Sequence, residues 1–201
     1  MTGSRYQKQV MVANVICFVL PAIFQVLSVT LYPPDFSGEF PVYLPEGILL
    51  LQFAGAFLMM GYAIIGMKAE EEKQTLAAAG FTAQAIAIGV GMAGLFEITK
   101  VASSESYEKF YYITVSSNFL FFPSLLLIAT YNRFKKWIRI AGFISSLPLL
   151  ISTILFVARY RNYNVLESIS NTGYSLLMIV WLLWGINIYI NYRNELKSQT
   201  N

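Results

Sequence analysis

The sequence predicts an all-α bundle of six transmembrane helices, joined by short loops and with both termini in the cytoplasm. Three observations predict this class. Hydrophobic residues make up 56% of the chain and charged residues only 12%, whereas a soluble domain carries about 25% charged residues. The apolar residues form long runs without charge, and a helix that crosses a bilayer needs roughly 20 of them. The basic residues cluster between these runs, where they indicate orientation.

The apolar runs divide the whole chain, residues 1–201, into one transmembrane domain, because the connectors and tails are too short for a folded soluble domain. The first run is longer than the roughly 7–15 residue core of a signal peptide, which favours a membrane helix. The predicted spans cover residues 9–32, 45–68, 76–97, 111–131, 137–158 and 167–190.

The connector between the first two spans, PPDFSGEFPVYLP, is rich in proline and aromatic residues. Proline has no N–H to donate, so residues 33–44 cannot be helical throughout. We expect this loop to lie over the bundle as a cap. Pro45 and Glu46 suit the first turn of the second helix, which favours proline and negative charge.

The basic residues predict the orientation. Six spans divide the 14 lysines and arginines into ten on the side of the termini and four on the other. Loops rich in Lys and Arg stay in the cytoplasm, so both termini are predicted to lie inside a cell membrane, either inner or plasma. The four on the outer side are Lys100, Lys109, Arg159 and Arg161.

The third span is rich in small residues. Ala79, Ala83, Ala87 and Gly91 recur every fourth residue, and such rows allow helix backbones to approach closely in lipid. This pattern predicts that the third span lies at the centre of the bundle. Glu97 ends the span, where the helix dipole disfavours negative charge, so we expect it to have a partner or a function.

Polar residues concentrate in the outer halves of the spans. Polar groups that face hydrocarbon are costly unless satisfied, so side chains at one depth are expected to face one another or water. This asymmetry predicts an outward-facing polar pocket. On the sixth span Ser168, Asn171 and Ser175 follow helical spacing and are expected to share its inner face. Arg159 is expected to pair with Glu97 or Glu167 at the rim. The candidate ligand-binding residues are Glu97, Glu46, Arg159, Glu167, Gln25, Gln52, Asn118, Asn171 and Ser175.

Several classes of function are disfavoured. The chain has no histidine and a single cysteine, Cys17, so it lacks the usual general base, haem ligand and metal ligands. It also lacks the common hydrolase, metalloprotease and nucleotide-binding motifs. We therefore expect no enzyme activity, no metal or other cofactor and no nucleic-acid binding. The largely apolar inner halves of the spans argue against a standing pore.

Two hypotheses from different classes remain. In the first, the pocket binds a small polar molecule or a lipid headgroup from the bilayer, and the protein acts as a carrier or a sensor. In the second, the polar residues are interhelical glue in a non-catalytic scaffold or accessory subunit. The connectors AEEEKQT and NRFKK and the polar tail would then contact a membrane-protein partner or a second copy of the chain.

Overall fold

The computed structural model describes residues 2–98 and 103–200 and is all-helical there, apart from one isolated antiparallel bridge between Asp35 and Val42. The helices are α1 (Thr2–Leu31), α2 (Pro45–Glu71), α3 (Thr75–Ile98), α4 (Ser104–Ile128), α5 (Lys136–Ser145), α6 (Leu147–Val157) and α7 (Tyr163–Thr200). Within the described residues, six segments are long and apolar enough to span a membrane, which confirms the predicted number. These segments are Lys8–Leu31, Pro45–Glu71, Thr75–Ile98, Glu105–Ile128, Lys136–Val157 and Tyr163–Glu195.

The fifth span consists of two helices. Helix α5 ends at Ser145 and α6 begins at Leu147. Pro148 explains the break, since it has no N–H to donate to the carbonyl of Ile144 and its ring crowds that carbonyl. The hydroxyl of Ser146 instead donates to the carbonyl of Phe143 at 2.7 Å.

Helices α4 and α7 begin earlier than the sequence predicts, at Ser104 and Tyr163. At both helix starts, which precede the apolar stretches, polar side chains accept hydrogen bonds from free backbone N–H groups. Ser103 accepts a hydrogen bond from the N–H of Ser106 at 3.2 Å, and Asn162 accepts one from the N–H of Val165 at 3.2 Å. Such caps stabilise a helix start whether or not the following residues are apolar.

The helices form a closed ring in chain order. Each of α1 to α4 packs against the next, α4 packs against α5 and α6, and both of these pack against α7, which closes the ring on α1. The prediction that the third span lies at the centre is therefore wrong, because α3 packs chiefly between α2 and α4. Two alanines of its small-residue rows, Ala79 and Ala93, face outward and are exposed.

The small residues of α3 nevertheless allow close approach. A Cβ atom added to Gly80 would lie 2.7 Å from the Cβ atom of Leu127 and 2.8 Å from the backbone nitrogen of Ile128. Residues 80 and 128 therefore meet backbone to backbone, a contact that only glycine permits. The predicted close helix contact is real, but it joins two neighbours of a ring.

An aromatic cluster fills the centre of the ring. The rings of Phe18 and Tyr62 lie 5.4 Å apart, and Trp184 lies 5.9 Å from Tyr62 and 5.1 Å from Phe134. Phe81 of α3 contacts Trp184 at 6.4 Å. These buried rings come from four helices and the connector after α4, so they fix the relative positions of the helices.

The two ends of the bundle differ. The basic end carries the connectors at residues 72–74 and 129–135, together with the beginning of α1 and the end of α7, where Asn14 lies near Tyr192. The loop end carries residues 32–44 and 158–162. Lys100, which the sequence predicts on the loop side, lies outside the described residues.

The first loop covers the loop end of the bundle, as the sequence predicts. The ring of Phe40 lies 5.8 Å from that of Tyr107 and 5.7 Å from that of Tyr163. The hydroxyl of Tyr107 donates a hydrogen bond to the carbonyl of Pro41, and the amide of Asn164 donates to the carbonyl of Gly38 at 2.9 Å. The loop is thereby attached to both α4 and α7.

Candidate ligand-binding cavity

A cavity of about 110 Å³ lies inside the ring, between the first loop and the aromatic cluster. Five helices and the loop line it, and most of the lining is apolar, including Leu58, Ile88 and Phe121. The volume is somewhat smaller than that of an engineered apolar cavity of roughly 150 Å³ that holds benzene. The lining residues whose side chains can form hydrogen bonds are Gln25, Ser28, Tyr43, Thr114, Ser117, Asn118, Glu167, Asn171, Tyr174 and Trp181.

Four of the candidate residues predicted from sequence line this cavity: Gln25, Asn118, Glu167 and Asn171. They come from α1, α4 and α7, so the structure brings these four polar side chains of the predicted outer halves together. The convergence arises because these residues lie at similar depth and face the inside of the ring.

Glu167 is the centre of the polar region. It is only 6% exposed, and both of its carboxylate oxygens accept hydrogen bonds from tyrosines. The hydroxyl of Tyr43 donates to Oε1, and that of Tyr111 donates to Oε2 at 3.0 Å. Asn171, one turn further along α7, donates its amide to the hydroxyl of Tyr43 at 3.2 Å.

In the described part of the chain, Glu167 is buried without a positively charged partner. Among the described residues, no lysine or arginine nitrogen lies within 4.0 Å of its carboxylate. A buried carboxylate usually has a cationic partner or several donors. Here tyrosine hydroxyls are the donors, and the carboxylate remains beside the cavity.

Tyr43 is a site residue that the sequence reasoning missed. It lies in the first loop, outside the predicted spans, and polar depth was assigned only within spans. Burial raises the pKa of its phenol well above the ordinary value, and the negative charge of Glu167 raises it further. Tyr43 therefore keeps its proton and remains a donor to Glu167.

Other polar lining residues join neighbouring helices. The hydroxyl of Ser28 donates to the carbonyl of Gly47 at 2.9 Å, and that of Ser117 donates to the carbonyl of Ala87 at 2.6 Å. The amide of Asn118 donates to the hydroxyl of Thr153 at 2.5 Å. These contacts are the interhelical glue that the second hypothesis expects.

Gln25 differs from these residues. It is 9% exposed and lines the cavity. Among residues 2–98 and 103–200, its amide makes no hydrogen bond with another side chain or with the backbone. Within the part of the chain that the structure describes, an amide with both donor and acceptor capacity thus faces the cavity without a protein partner, on the helix next to the one that carries Glu167.

The remaining candidates do not line the cavity. Glu46 is exposed in the first turn of α2, and Gln52 is half-buried on the same helix. Glu97 is half-buried near the end of α3. The predicted pairing of Arg159 with Glu97 or Glu167 is wrong, since Arg159 is exposed and forms no ion pair with either. Its φ angle of 66° places it at the left-handed position that ends α6.

The prediction that Ser168, Asn171 and Ser175 share the inner face of the sixth span is also wrong, because it assigned the two serines to the wrong side of the helix. Ser168 and Ser175 face outward and are exposed, whereas Glu167, Asn171 and Tyr174 line the cavity. Ser168 is satisfied within its own helix, because its hydroxyl donates to the carbonyl of Asn164 at 2.8 Å. Serine can therefore occupy an outward face, and its presence alone does not identify the inner one.

The basic end holds a second polar cluster, built from the connectors themselves. Arg133 forms ion pairs with Glu72, at 2.9 Å, and with Glu195. Gln74 and Asn132 exchange two hydrogen bonds of 2.7 and 2.9 Å. The connectors that the scaffold hypothesis assigned to a partner thus contact each other, although Glu70 and Glu71 remain exposed.

Within residues 2–98 and 103–200, the arrangement offers no metal site. Among the described residues, no three His, Cys, Asp or Glu side chains are grouped closely enough to hold a metal ion. Over the described residues the fold is all-helical, with six segments long and apolar enough to span a membrane. Comparison of the chain with protein families, curated proteins and solved structures finds no match.

Proposed function

We propose that this chain is an integral membrane protein that binds a small amphipathic molecule or a lipid in the cavity. Glu167 is the observation that carries the proposal: a buried carboxylate without a basic partner lies at the polar end of an otherwise apolar cavity. Groups buried in this way inside a membrane domain are expensive and mark binding sites or proton paths. Carriage and sensing are both compatible with such a site.

The lining favours a particular kind of ligand. Glu167 and Gln25 face the cavity from two helices at its polar end, and aliphatic and aromatic side chains form the rest. A ligand with a hydrogen-bond donor or a positive charge at one end and an apolar body at the other would match both parts. The small volume limits the enclosed portion to about the size of one aromatic ring.

The orientation belongs to the same proposal. In a cell membrane, the basic end would face the cytoplasm, and the first loop would cover the cavity on the outer side. The excess of lysine and arginine at the basic end supports this assignment.

Native mass spectrometry of protein extracted gently from its own membrane tests the proposal. We expect the wild type to retain a small molecule or one lipid species, and Glu167→Gln to lose it while remaining folded. Glu105→Gln is a matched control, because that acid is at the loop end, is highly exposed and pairs with Lys109 at 2.7 Å. Retention of the same mass by Glu167→Gln would contradict the proposal.

The scaffold alternative has specific support. Ser28, Ser117 and Asn118 join neighbouring helices rather than pointing freely into the cavity. A stoichiometric protein partner that copurifies without any small ligand would favour this alternative. So would a Glu167→Gln variant that loses only stability.

A further inference from the structure

The outer surface of the bundle carries an apolar groove between α4 and α6, with a volume of about 540 Å³. Phe119 and Phe122 line it from α4, and Ile154 and Val157 line it from α6. Phe119 is 74% exposed and Val157 is 64% exposed. Both helices belong to segments apolar enough to span a membrane, so in a bilayer this groove faces acyl chains.

The groove and the cavity share one wall residue. Asn118 lines both of them and is itself only 5% exposed. The side chain of Asn118 therefore separates the interior of the ring from its outer surface. Among the residues that the structure describes, no other one lines both spaces.

One side-chain hydrogen bond joins α4 and α6 beside the groove. The amide of Asn118 donates to the hydroxyl of Thr153 at 2.5 Å; nearer the loop end, the hydroxyls of Tyr111 and Ser152 also interact. Nearer the loop end, the ring of Phe156 packs against Tyr111 at 5.1 Å and Tyr112 at 5.4 Å. The seam is thus packed by aromatic rings at one end and held by one polar contact at the groove.

We propose that the groove binds an acyl chain of a membrane lipid and that the seam beside it is the lateral entrance to the cavity. The Asn118–Thr153 hydrogen bond is the latch of this entrance. The inference rests on the proposed function, since it assumes a membrane and a ligand in the cavity. An acyl chain is the matching occupant because the groove is apolar, faces lipid and leads to a largely apolar interior.

Tryptophan fluorescence provides a direct readout. Trp181 lines the cavity and is 4% exposed, whereas Trp137 is 53% exposed. In a Trp137→Phe background reconstituted in vesicles, only buried tryptophans remain, because Trp184 is 1% exposed. Brominated lysophosphatidylcholine is the probe, because bromine on its chain quenches at short range and Trp181 lies in the wall of the cavity. The amplitude of quenching measures how fully the chain occupies the cavity, and its time course measures how fast the chain enters.

Two variants change access in opposite directions. Thr153→Val removes the acceptor of the latch, and loss of one neutral hydrogen bond should accelerate quenching about two- to tenfold. Ala158→Phe fills the groove from an exposed position and should slow quenching by a similar factor. Both should reach the wild-type amplitude. Ala93→Phe is the matched control, because Ala93 is an exposed alanine on α3, away from the groove.

The outcomes separate the two proposals. Opposite rate changes in Thr153→Val and Ala158→Phe, at unchanged amplitude, support the lateral entrance. Wild-type rates in both variants, with normal amplitude, overturn the entrance and leave the cavity as a ligand site. Absence of quenching in the otherwise wild-type background overturns the lipid-binding cavity and the entrance together.

Discussion

The hydroxyl of Tyr43 donates a hydrogen bond to the carboxylate of Glu167, although 124 positions separate the two residues in the chain. The contact joins the first loop to α7 at the polar end of the cavity. The position of the first loop over the cavity and the protonation of Glu167 therefore depend on each other.

Removing either partner should loosen the loop. We expect Tyr43→Phe and Glu167→Gln each to lower the free energy of unfolding, by about 1.5–3 kcal/mol for a hydrogen bond to a charged group. The double variant should lose less than the sum of the two, because both changes weaken the same contact: Tyr43→Phe removes the donor and Glu167→Gln removes the charge of the acceptor. Thermal unfolding in detergent measures the cycle. Tyr160→Phe, at an exposed tyrosine of the same end, should leave the midpoint unchanged; full additivity would show that the contact contributes nothing.

The same contact predicts a dependence of stability on high pH. The folded protein raises the pKa of Tyr43 above its ordinary value of 10.0, so the unfolded chain releases this proton first. The stabilisation is fully present below pH 10 and is lost as the pH rises above it. We expect the free energy of unfolding, measured between about pH 8 and 11, to be higher for the wild type than for Tyr43→Phe at pH 8. This difference should shrink as the pH rises. A gap that stays constant or widens would contradict the assignment.

The contact between α3 and α4 predicts a difference between two glycines of one helix. Gly80→Ala should destabilise the protein by about 1–3 kcal/mol, because the added Cβ atom would lie 2.8 Å from a backbone nitrogen. Gly89→Ala should have little effect, since its nearest neighbour is the flexible methyl end of Met59 at 3.2 Å. Thermal unfolding of the two variants measures the contrast. Equal midpoints would mean that the two helices can separate without cost.

The basic end should be held together by Arg133. Replacement by methionine leaves Glu72 and Glu195 without their shared cation and should cost about 1 kcal/mol, more than an isolated exposed pair. High salt should shrink the difference, because it screens the wild-type ion pairs. Arg193→Met is the control, at an exposed arginine of α7 near the same end. If both variants unfold at the same temperature, the cluster has no structural role.

Cysteine labelling tests the orientation. In a Cys17→Ser background, cysteines at positions 46 and 97 should react with an impermeant reagent added outside the cell. Cysteines at positions 73 and 135 should react only after the membrane is opened. The reverse pattern would invert the proposed topology.

The sequence predicted the helices well because membrane spans depend on a simple quantity, the length of an apolar run. The break before Pro148 and the cap formed by the first loop follow from proline chemistry, although the sequence reasoning treated the fifth span as continuous. The early start of α7 was missed, since Asn162 acts as a cap without belonging to the apolar run.

The site was only partly predictable. Depth along a helix can be counted from sequence, and four residues grouped by depth, Gln25, Asn118, Glu167 and Asn171, line one cavity in the structure. The side of a helix that faces the cavity was harder to predict. The hydroxyl of Ser168 forms its hydrogen bond within α7, so this serine can lie on the outward face. Tyr43 could not be found by depth at all, since its position depends on how a loop folds back over the bundle.

The closed ring of helices has a consequence for how the site comes into being. Helices α1 to α6 can pack one after another as the chain is made, yet Gln25 on α1 meets Glu167 and Asn171 only when α7 closes the ring. A bundle that lacks α7 is therefore open on one side, and it lacks the part of the cavity wall that carries Glu167 and Asn171. In the proposed function, a ligand that requires both walls binds only the completed bundle and stabilises it against reopening.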